Sequence, residues 1–135
     1  METRSVRSYR LRGSRITRSQ ASALERFWPE YGVEIPEGKL DLPALFPDSK
    51  KIIMEIGFGM GEATALIGSD FPHDGFLAVE VHFPGVGKLM ARIEELGLKN
   101  IRIMETDVHP LFEEHLEDEG LDGIHLFFPD PWPKK

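Results

Sequence analysis

At 135 residues, 41% of them hydrophobic, the chain is long enough for one domain with a real core and short for two. It has no cysteine, which removes disulfides and thiolate metal sites, and no apolar run near the roughly 18 residues that a membrane helix needs; a cytoplasmic protein is the expectation. The net charge of −7 divides unevenly, because residues 1–18 hold six arginines against one glutamate and leave −12 on the remaining 117 residues.

The chain therefore begins with a basic arm, residues 1–19. Such an arm suits a tail that neutralises a few phosphates of a polyanion, or it is simply a solvated, disordered segment. Residues 20–50 read as a short helix and a loop. Ala21, Leu24 and Phe27/Trp28 have helical spacing over 20–28, Pro29 is expected to end that helix, and the Pro-, Gly- and Asp-rich stretch 30–50 is expected to lie as a loop over a domain surface.

From residue 51 to 135 the pattern becomes regular. Apolar runs at 51–56, 75–81, 100–105 and 122–128 predict four strands, with helix-like segments between them. In the second of these segments Val86, Leu89, Met90, Ile93 and Leu96 form a helical stripe that Gly97 ends. Strands alternating with single helices make βαβ units, and the near-continuous hydrophobicity of the strands fits burial on both faces. The fold class is α/β: a doubly wound sheet of about four parallel strands with flanking helices, incomplete, whose ligands would sit at the carboxyl ends of the strands.

Every one of those four ends carries an acid: Glu55, Glu80, Asp107 and Asp130. The first turn, EIGFGMGEA, places Gly57, Gly59 and Gly61 in a G-x-G-x-G arrangement, with Glu62 where a dinucleotide-binding fingerprint has its third glycine. A glutamate there would repel a pyrophosphate, whereas Glu55 would favour a cationic group such as the ammonium of S-adenosyl-L-methionine. Glu80 is placed to accept the ribose hydroxyls of an adenosine. Asp107 either accepts from the adenine amine or caps the next helix. Asp130, between Pro129 and Pro131 and followed by Trp132, offers a carboxylate and an aromatic plate to a nucleobase, or is a structural proline turn.

EIGFGMGEATALI, AVEVHFPGVGKLM and above all FPDPWPKK resemble the tRNA (guanine-N7-)-methyltransferases, and the arginine-rich start is also similar to theirs. The resemblance implies a Rossmann-like, S-adenosyl-L-methionine-dependent enzyme that methylates N7 of guanine 46 in tRNA. It implies cofactor roles for Glu55, Glu80, Asp107 and Asp130, a catalytic role for Asp130, and substrate contact by Lys134 with Trp132 beside the base. The family continues beyond this motif, so a C-terminally shortened chain with an edge-exposed fourth strand and little activity of its own is the expectation.

Two other readings stay open. One is an adenosine-binding RNA-binding module without catalysis; the other is a methyltransferase acting on an exocyclic amine of a nucleic acid. A metal is not expected: the five histidines show no paired ligand spacing and read as surface or helix-end residues.

Overall fold

The computed structural model describes residues 18–81, 83–116 and 120–126. The arm up to residue 17 and the FPDPWPKK segment, with Asp130, Trp132 and Lys134, lie outside the described residues.

Helix α1 spans Arg18–Tyr31 and so begins inside the expected arm and runs past Pro29. The proline falls in the last turn and costs the helix one backbone hydrogen bond there. The turn is held by Gly32 N–H donating to the Trp28 carbonyl at 2.7 Å and by burial of Leu24, Trp28 and Tyr31 on one face. Gly32 has no room for a side chain because the Trp28 ring covers it, and the Trp28 indole N–H donates to Glu34 at 2.7 Å.

The stretch after α1 does more than cover a surface. Gly32 makes a parallel bridge to Ile103, and Val33 N–H donates to the Ile103 carbonyl at 2.8 Å. Asp41 caps the short helix α2 (Leu42–Leu45), its Oδ1 accepting from Ala44 N–H at 3.2 Å. Leu40, Leu42 and Phe46 are buried, and the Phe46 ring occupies the space that a side chain at residue 75 would need. Pro, Gly and Asp marked the turns here; the apolar residues spaced among them carry the packing.

Strands β1 (Lys51–Ile56), β2 (Asp74–Glu80), β3 (Ile101–Glu105) and β4 (Gly123–Leu126) form one sheet, every pairing parallel, in the order β3-β2-β1-β4. Among the described residues β4 is an edge strand, with Ile124 and Leu126 exposed on one side of it. Helices α3 (Glu62–Asp70) and α4 (Phe83–Leu96) join α1 over one face, where Phe76, Ala78, Ile101 and Ile103 meet Ala65, Val86, Leu89, Met90 and Ile93. The other face, with Met54, Leu77, Val79 and Met104, is covered by Leu40, Leu42 and Phe46 and by Leu111 and Leu116.

The expected stripe on α4 holds for its first four members, which are fully buried, while Leu96 is 41% exposed. Gly97, at φ 69°, turns the chain so that Leu98 N–H bonds back to Ile93 at 3.0 Å, and Leu98 takes the packing place instead. The third connection is a single turn, α5 (Val108–Pro110), continued by a π-helical turn over Leu111–His115. Asn100 fixes the far end of the sheet: its amide donates to the carbonyls of Gly68, Phe71 and Asp74 at 2.9–3.1 Å.

Candidate functional site

The β1–α3 turn is held open by left-handed backbone at Gly57, Gly59 and Gly61, with φ of 75°, 64° and 88°. Gly61 is the N-cap of α3, and a Cβ there would press on Leu89 of α4. Gly85, in the first turn of α4, lies so close to the glycine turn that a Cβ would overlap the Gly59 carbonyl. At Gly59 the same test meets nothing within 4 Å, so the turn's tip faces open space.

A cleft of about 160 Å³ opens beside this turn, at the carboxyl ends of β1, β2 and β3. Gly57, Glu80 and Asp107 line it, with Val79, Val81 and Val108 as apolar wall. Glu80 Oε1 accepts from Gly59 N–H at 2.7 Å, so the acid that ends β2 also fixes the tip of the glycine turn. Asp107 does cap α5, accepting from His109 N–H at 3.0 Å, and it is exposed at the cleft. Glu105 is in register with Glu80 and, by its spacing from Ile101 and Ile103, lies on the same face of the sheet, but it does not line the cleft.

Glu55 does not line the cleft. Its side chain is fully buried on the helix-covered face, and His125 Nδ1, on the register partner in β4, stands 3.0 Å from Oε2. Its other oxygen, Oε1, and the buried Thr64 hydroxyl in the first turn of α3 have no hydrogen-bond partner among the described residues. Burial drives the Glu55 pKa above the ordinary glutamate value; His125, and to a lesser degree the nearby Thr64, pull it back.

Two expectations change here. His125 is a strand residue against a buried acid, not a helix-end one, whereas His115 does end a helical turn but is buried there, its Nδ1 2.7 Å from the Gly38 carbonyl. Both places depend on long-range pairing, which histidine spacing does not encode. The electrostatic case against a phosphate at α3 is also weaker than the sequence implied, because Arg92 of α4 reaches Glu62 at 3.5 Å and partly offsets its charge. No group of three or more His, Asp or Glu is placed to hold a metal ion among the described residues, and no helix among them is long and apolar enough to cross a membrane.

Parallel strands ordered 3-2-1-4, a three-glycine turn after β1 and an acid ending β2 define a Rossmann-like α/β protein of the methyltransferase class. The chain belongs to the family described as "Putative methyltransferase", whose model matches residues 49–135. It is 48% identical over 132 residues to the tRNA (guanine-N(7)-)-methyltransferase of Streptomyces avermitilis, covering 98% of this chain and 46% of that one. With the protein of the same name from Neisseria meningitidis serogroup A it shares 49% identity, over 98% of this chain and 56% of the relative. The Nitrosospira multiformis protein of that name is 47% identical, over 97% and 57%. The chain thus spans about half the length of the curated relatives it matches.

Proposed function

We propose that the protein is a cytoplasmic enzyme that transfers the methyl group of S-adenosyl-L-methionine to N7 of guanine 46 in tRNA. The observation that carries this reading is the acid that ends β2: Glu80 fixes the tip of the glycine turn at Gly59 and lines the cleft, while Glu55, off the cleft near the end of β1, is buried with one oxygen unpartnered among the described residues. Those acceptors fit a ligand with ribose hydroxyls at one end and an ammonium at the other. The orphaned Glu55 Oε1 and Thr64 hydroxyl supply acceptors for a cation, and the open side of Gly59 allows close approach.

When bound, S-adenosyl-L-methionine supplies an electrophilic methyl on a sulfonium. The chain's own residues bind and orient. Glu80 would accept the ribose hydroxyls while keeping the Gly59 bond, Asp107 would accept the adenine amine, and Glu55 would hold the ammonium. Gly57, Gly59 and Gly61 keep side chains out of the way. Val81, which is 57% exposed, offers an apolar face in the same cleft.

On the substrate side, N7 of guanine has an in-plane lone pair and no proton, so no general base is required. Orientation supplies the acceleration, roughly 7–11 kcal/mol in favourable cases. Asp130 would accept from N1–H and the 2-amino group of the base and face the positive charge that the ring gains. Trp132 would stack on the base, and Lys134 would meet the tRNA backbone.

Methyl transfer from radiolabelled S-adenosyl-L-methionine to unmodified tRNA tests this. Label should enter ordinary tRNA and be absent when position 46 carries 7-deazaguanine, which has carbon in place of N7. Equal labelling of both, or S-adenosylhomocysteine failing to bind at all, would overturn the reading.

A further inference from the structure

Glu55 is an acid with no exposure, one oxygen engaged and the other without a partner among the described residues. The engaged oxygen is met by His125 from the facing position of β4, through a side chain that remains 43% exposed. From α3 the nearest polar group is the Thr64 hydroxyl, wholly buried and near enough to favour the ionised carboxylate, yet without hydrogen-bond geometry to it or to any other described residue. From β2 the register neighbour is Ala78, which offers nothing polar, and Glu80, two residues further along that strand, is turned to Gly59. His125 is therefore the one basic group among the described residues that touches this carboxylate. A buried acid that loses its one basic partner is driven further toward its protonated form, and a neutral carboxyl group does not hold an ammonium ion.

We infer that His125 is a positioning residue for the amino-acid end of the cofactor: it pins Oε2 of Glu55 so that Oε1, with the Thr64 hydroxyl, is presented to the ligand's ammonium group. The inference rests on the cofactor reading above and adds a residue to it. Adenosine recognition at Glu80 and Asp107 does not pass through His125, so the two ends of the ligand respond separately to its loss.

Calorimetric titration with two ligands separates the outcomes. S-adenosylhomocysteine carries the ammonium, whereas 5′-methylthioadenosine shares the adenosine and lacks the amino-acid end. His125→Leu should weaken S-adenosylhomocysteine about tenfold and leave 5′-methylthioadenosine within about twofold. His125→Gln, which keeps a donor, should restore the first ligand to within about threefold of the parent protein. In a Glu55→Gln background, His125→Leu should add nothing further. Should His125→Leu unfold, His125→Ala gives the same comparison, since truncating a side chain that is 43% exposed leaves little void.

Unchanged S-adenosylhomocysteine affinity in the leucine variant, or equal losses for both ligands, would overturn the inference and leave the cofactor reading intact. A parent protein that binds neither ligand would instead overturn the cofactor reading, and this inference with it.

Discussion

A carboxylate buried with half its hydrogen-bonding capacity unused opposes the fold that holds it, and Glu55 is in that position. Its raised pKa means that the native state holds the proton more tightly than the unfolded chain does. Stability from this group is therefore present below the ordinary glutamate value and is lost as pH rises through the native one. Glu55→Gln should raise the urea midpoint at neutral pH, the advantage should shrink as pH falls toward 4, and S-adenosylhomocysteine binding should drop. A variant less stable than the parent at pH 7 would show that the contact of His125 with Glu55 is net favourable. Glu80→Ala should behave differently. It removes the Gly59 bond and, with it, the proposed ribose acceptor, so S-adenosylhomocysteine and 5′-methylthioadenosine should weaken together, each about tenfold or more by titration. For Asp130→Asn, turnover should fall far more than cofactor affinity, and equal losses would limit that residue to the cofactor. Four acids at four strand ends were legible because strand boundaries follow from hydrophobic runs. The burial of Glu55 was not legible, because it arises from the cover of α3 and from the pairing of β1 with β4, which set the environment of a residue 70 positions before its partner.

At the level of elements, the sequence pattern located the strands to within a residue or so at their described ends, because strands covered on both faces leave little polar interruption. It failed where packing overrides local signals. Pro29 reads as a stop, yet Trp28 and Tyr31 bury the turn around it. The 30–50 stretch reads as loop, yet Leu40, Leu42 and Phe46 cover one face of the sheet. The contact between α4 and the glycine turn was equally invisible, since Gly85 has no turn to explain it: it is small because the Gly59 carbonyl fills its side-chain space. Gly85→Ala must push α4 away from the turn whose tip Glu80 fixes, with a destabilisation of about 1–3 kcal/mol by urea denaturation. Loss of S-adenosylhomocysteine binding should exceed what that destabilisation explains. A normally binding Gly85→Ala variant would mean that the turn adapts without the cleft following.

Across the whole molecule the charges separate function from fold. The described residues form a sheet whose binding end is lined with acids, which suits a ligand bearing an ammonium and a sulfonium and is ill suited to a polyanion such as tRNA. The positive charge that a tRNA partner would need is concentrated in residues 1–18, with six arginines against one glutamate, while the rest of the chain carries −12. If that arm meets phosphates, each arginine engaged should contribute about 0.7–0.9 to the slope of log affinity against log salt. Removing residues 1–17, which takes five of the six arginines, should therefore weaken tRNA binding most at low salt and flatten the slope by up to about 4.5. S-adenosylhomocysteine affinity should stay where it was, because Gly57, Glu80 and Asp107, which line the cleft, are all retained. Filter binding of tRNA across a salt series, with calorimetry of the small ligand alongside, makes the comparison. An unchanged slope would place the tRNA contacts outside the arm, and the arm's charge would then have no part in substrate binding.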